Sequence, residues 1–151
     1  MAGNILLKGY SAAAANALTT ELNSLADGSV CALSSEINNG SALDIFADFQ
    51  LDLASLTISS TSAFVSVHIV PTVDGTNYPD WTAGAVGNYH QQYLAGVILI
   101  KNVSGAAARA NLSGVALPPG KFKVALRNGV GAALASSGNT LAIRTYAVSY
   151  T

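Results

Sequence analysis

The side chains able to do chemistry or grip a partner fall into three sets. Asp44, Asp48 and Asp52 recur at every fourth position in a stretch that alternates like a strand, so they share one face. Neighbouring carboxylates on such a strand stand ~13 Å apart. That is too far for either carboxylate spacing of glycoside hydrolysis and too far to share one calcium ion. The three therefore read as an acidic stripe facing solvent or an interface. Tyr78, Trp81, Tyr89 and Tyr93 fall in the run 74–93 with Asp74, Asn77 and Asp80. Aromatics beside Asp and Asn can stack on sugar rings and bond their hydroxyls. They also give protein interfaces large rigid contacts, and that reading is favoured in a sequence so short of charge. Lys121, Lys123 and Arg127 lie on the wet side of a second alternating stretch.

No recognised catalytic or metal pattern joins these sets. His68 and His90 are the only histidines and Cys31 the only cysteine, whereas zinc takes three or four such ligands. Cys31 sits in Val-Cys-Ala-Leu and reads as a small buried hydrophobe. The run Asp74 to Asp80 lacks the spacing and terminal Glu of an EF-hand loop, and tight-turn chemistry explains it equally well. Neither a Gly-x-Ser-x-Gly elbow, nor a phosphate loop, nor a dinucleotide fingerprint occurs. The expectation is a non-enzyme without cofactor or metal.

The elements that must carry these residues are mostly strands. Leu43 to Leu53 alternates most clearly, with Leu43, Ile45, Ala47, Phe49, Leu51 and Leu53 inward. Ala63 to Val73 is a strand that Pro71 marks as an edge or bulge. Leu94 to Ile100 is almost wholly apolar, the pattern of a central strand buried on both faces. Leu117-Pro118-Pro119-Gly120 is a stiff turn before Lys121 to Arg127, where Phe122, Val124 and Leu126 point inward. Leu141 to Tyr146 is expected to pair with that strand and close the fold. Val30 to Ile37 and Ala107 to Val115 are weaker strands. Ser11 to Gly28, with the run Ala12 to Ala15 and leucines at 18, 22 and 25, is the one credible helix. About eight strands with frequent turns predict a mainly β fold, an antiparallel β-sandwich or jelly roll with one short N-terminal helix. The division is an arm and helix over 1–28 and a sandwich over 29–151, one globular domain in all.

Composition narrows the role. Of 151 residues only 10% are charged, well under the ~25% of ordinary soluble domains, while 50% are hydrophobic. Small neutral residues fill the difference and pack readily against another protein. The net charge of −1 argues against nucleic-acid binding. All eight acids precede Trp81 and six of seven bases follow Ile100, so the two signs either pair across strands or form opposite faces that meet between copies. Met1 to Tyr10 holds too short an apolar run for a signal peptide, and no stretch approaches the ~20 apolar residues of a membrane helix.

Three runs resemble small virion structural proteins of tailed bacteriophages. They are Ile69-Val-Pro-Thr-Val-Asp-Gly-Thr-Asn-Tyr-Pro79, Leu117-Pro-Pro-Gly-Lys-Phe-Lys-Val124 and Ser137-Gly-Asn-Thr-Leu141. The likeness spans most of 30–151 and rests on turns and strands. It implies a jelly-roll-like module carried in many copies, most simply a capsid decoration or cement protein on the virion surface, made in the host cytoplasm. Its implied partners are the major capsid protein and sister copies, as a homotrimer. A tail or fibre component, or a carbohydrate-binding module using the 74–93 aromatics, is the alternative. The arm and helix over 1–27 are the expected reaching elements.

Overall fold

Alternating burial sets the two layers of this protein. A computed structural model describes residues 5–58, 62–86, 91–101 and 105–150. Among them are nine strands: β1 (Ile5–Tyr10), β2 (Ala15–Leu18), β3 (Ile37–Asn38), β4 (Phe46–Leu56), β5 (Phe64–Pro71), β6 (Leu94–Leu99), β7 (Ala106–Ala116), β8 (Lys121–Gly129) and β9 (Thr140–Tyr150). Helix is confined, among the described residues, to the single 3-10 turns Thr20–Leu22 and Gln91–Tyr93.

One antiparallel sheet runs β1-β9-β4-β7, with β2 also on β9; the other runs β3-β8-β5-β6. Four antiparallel pairs nest within them: β5 with β6, β4 with β7, β3 with β8 and β1 with β9. Every second residue of β4 from Ala47 to Leu53 is buried, as are Phe122, Val124 and Leu126 of β8, so the two inner faces share one core.

Buried asparagines hold the loops. Asn128 donates from its amide to the carbonyls of Leu25 and Ala132 while its oxygen accepts from Val130 N–H. Asn139 accepts from Ala54 N–H and donates to Ala135 O. Each therefore satisfies main-chain groups where a ladder is interrupted.

Four expectations are corrected. The helix over Ser11–Gly28 is absent. Its leucines at 18, 22 and 25 are buried, but from β2, a 3-10 turn and irregular chain. Pairing with the free edge of β9 outweighs the alanines' helix propensity, which is only a weak preference. The strand expected from Leu43 begins only at Phe46, because Leu43 has φ +51° and turns the chain. Leu43 and Ile45 are exposed and Asp44 is buried, the reverse of the alternation.

The assumed roles of β5 and β6 are exchanged. β5 is central and buried on both faces from Val65 to Val70, since residues of the run 72–86 cover its outer side; Pro71 merely ends it. The apolar run Leu94–Leu99 is an edge strand. Lastly, β8 and β9 do not pair: they lie in different sheets, joined by a connection that crosses between layers.

Candidate interaction surfaces

The outer side of the β3-β8-β5-β6 sheet brings several of the expected residues together. Lys121 Nζ lies 2.9 Å from Glu36 Oε1, and Tyr78 donates its hydroxyl to Glu36 Oε2 at 3.0 Å. Lys123 Nζ stands 4.6 Å from the centre of the Tyr78 ring, a cation–π contact. Lys121, and then Tyr78, hold the Glu36 carboxyl below its ordinary value. Burial, followed by the Glu36 bond, pushes the Tyr78 hydroxyl up to about 12. Arg127 is turned elsewhere: its Nε donates to Gly28 O and its guanidinium lies 5.6 Å from the Phe64 ring centre.

The aromatic cluster expected over 74–93 does not form a single platform. Trp81 is half-buried, donates its indole N–H to Cys31 O at 2.8 Å, and sets its ring edge-on to His68 at 5.8 Å. It pins the run 72–86 onto β5 and the segment at Cys31. Tyr93 lines a different hollow with Pro71, Leu94, Ala116 and Pro118. Tyr89 and His90 lie outside the described residues. Asp74 is a turn residue: the N–H groups of Asn77 and Thr76 donate to its Oδ1, followed by side-chain bonds from Asn77 and Thr72. These bonds keep its carboxyl well below the usual carboxylate range. Among the described residues, no group of three or more His, Cys, Asp or Glu side chains is placed to hold a metal ion.

The acidic stripe also divides. Asp44 is 2% exposed and accepts the hydroxyls of Ser11 at 2.6 Å and Thr145 at 2.5 Å. The Asn39 side chain clamps the main-chain N–H and C=O of the same residue. Asp44 is thus a staple between the chain before β2, the turn after β3, and β9. Asp52 sits opposite Arg109 and forms an ion pair with it. Burial raises its carboxyl, but Arg109 and Gln50 outweigh burial and hold it below its ordinary value. With Glu36 on Lys121 and Asp52 on Arg109, acids of the first half meet bases of the second within one chain.

Asp48 belongs to a site of which the sequence pattern pointed to one residue only. It faces Arg144 across the β4–β9 ladder. Its Oδ2 accepts the Tyr10 hydroxyl at 2.6 Å and its Oδ1 accepts Gly114 N–H at 2.8 Å. The Arg144 guanidinium lies 4.0 Å from the Tyr10 ring centre, and its Nε donates to Ala12 O. The bond to Asp48, more than any other influence, raises the Tyr10 hydroxyl. A hollow opens beside this group on the outer face of β9, β4 and β7. Tyr10 and Arg144 carried no motif; only an assumed β4–β9 register would have placed them beside Asp48.

The side of the molecule formed by β6 and β7 holds three of the eight large hydrophobic side chains exposed among the described residues. Leu94, Val97 and Leu99 are 45%, 44% and 77% exposed, all on one six-residue edge strand. No further strand pairs with the outer side of β6 among the described residues. Beside it, β7 presents Ala106, Ala107 and Ala116 to solvent with Arg109 its one charge. Gly96 lets the layers close there: a Cβ at that position would stand 2.7 Å from Leu112 Cδ2 of β7.

No protein-family model matches the chain, and no curated protein matches it.

Proposed function

We propose that this chain is a non-enzymatic structural protein of a virion, a jelly roll that decorates and ties a capsid lattice by lying against neighbouring copies of itself. The observation that carries the reading is the β6–β7 side. Monomeric proteins protect long apolar edges with charge, proline or a covering loop, and the six residues of β6 hold neither charge nor proline, while no described strand pairs with its outer side. A second copy is the occupant we assign to it. A standard interface takes about 800 Å2 per partner, roughly a tenth of this molecule's 7907 Å2.

The nested strand pairs support the jelly-roll reading, because pairing the first strand with the last and working inward is how a hairpin rolls into two layers. Jelly rolls serve in viral capsids and in lectins, so the virion assignment rests on the sequence resemblance and on that fold-level analogy. The major capsid protein and a trimeric grouping of copies belong to the same proposal, with a tail or fibre position as its variant.

The test is occupancy. Particles assembled with the Val97→Lys/Leu99→Lys variant should carry few copies, while the purified variant melts like the parent. Full occupancy by the variant would overturn the reading.

A further inference from the structure

The geometry points to a binding site for a neutral saccharide on the outer face of the β1-β9-β4-β7 sheet, in the hollow beneath Tyr10. Two rows of side chains cross three strands there. In the first, Ala142 of β9, Gln50 of β4 and Asn111 of β7 are register partners. In the second, Arg144 faces Asp48, and Ser113 and Gly114 together stand where a regular ladder would place one residue. That bulge, with Gly114 at φ +71°, widens the floor, and Ala142 is too small to fill it. Rows ~7 Å apart across two strand spacings of ~4.8 Å make a footprint of about one pyranose ring with its hydroxyls.

Chemistry selects the ligand class. The charges of Asp48 and Arg144 cancel, and both groups are engaged by the protein itself. Each Asp48 oxygen accepts one bond, while Arg144 lies on Tyr10 and donates to Ala12 O. The groups that line the hollow without a hydrogen bond inside the protein are neutral: the Asn111 amide and the Ser113 hydroxyl. Gln50 gives its amide N–H to Asp52, which leaves its carbonyl oxygen as an acceptor. Donors and acceptors of this kind, beside a tyrosine 47% exposed, suit a polyol with a partly apolar ring face. This site is separate from the 74–93 aromatics, and it shares β7 but not β6 with the side assigned to a second copy.

The experiment is an array of neutral and acidic glycans probed with the full chain, followed by calorimetric titration of any neutral glycan retained. The same titration is repeated on Asn111→Ala, Ser113→Ala and, as a control on the other sheet, Tyr78→Ala. Expected is retention of a neutral glycan whose affinity falls at least tenfold in the first two variants and is unchanged in Tyr78→Ala. Both groove residues are exposed on an edge strand, so unchanged melting checks that the variants fold. Retention of no neutral glycan, binding to acidic glycans alone, or loss of binding in Tyr78→Ala with the groove variants unaffected would each overturn the assignment.

Discussion

Asp44 shows how one side chain can replace a stretch of ladder. Its carboxylate holds the Ser11 and Thr145 hydroxyls, and Asn39 holds its main chain. Removing it strips the half-buried Thr145 hydroxyl and the exposed Ser11 hydroxyl of their shared acceptor, so Asp44→Ala is expected to cost about 1–3 kcal/mol. Urea unfolding should show a lower midpoint at an unchanged slope. Cys31 gives a pH signature. Burial pushes its thiol up to about 12 from an ordinary 9. Below pH 9 the thiol is neutral folded and unfolded, so stability is full there. Between 9 and 12 only the unfolded chain ionises, and stability should fall by up to about 1.4 kcal/mol per pH unit from this group. Comparing the unfolding free energies of the parent and Cys31→Ala across that window checks it: the variant should decline less steeply. Cys31 was legible as a buried hydrophobe from its neighbours alone. Asp44 was not, because a left-handed turn at Leu43 reverses which side chains point inward and no alternation pattern records a turn of that kind.

Among elements, the strands with one wet face were readable and those defined by their neighbours were not. β8 matches its alternation: Phe122, Val124 and Leu126 are fully buried and Lys121, Lys123 and Arg127 half-exposed. β5 and β6 exchanged roles because an apolar run looks the same whether it is covered by its own chain or left for another. The run 72–86 that covers β5, anchored by Trp81, has no period to read. The closure of β6 on β7 has a direct test. Gly96→Ala places a methyl against the mobile end of Leu112, so a modest loss of about 1–2 kcal/mol is expected. Most of it should vanish in Leu112→Ala, a coupling that a double-mutant cycle by thermal or urea unfolding measures.

For the molecule as a whole, the N-terminal segment is part of the fold and not an appendage to it. β1 and β2 both pair with β9, and Leu18, Leu22 and Leu25 enter the common core. Deleting residues 1–27 should therefore abolish the cooperative unfolding transition seen by calorimetry or circular dichroism. A truncated chain that still melts cooperatively would show the segment to be dispensable. Glu36 meets Lys121 and Asp52 meets Arg109 inside one chain, so the proposed association between copies is assigned to apolar contact. The whole account thus depends on what covers Leu94, Val97 and Leu99. Sedimentation velocity of the parent chain and of Val97→Lys/Leu99→Lys over a concentration series is the most direct measurement. The account predicts a discrete oligomer for the parent and a monomer of equal melting temperature for the variant. A parent chain that stays monomeric throughout, or a variant that associates equally well, would contradict it.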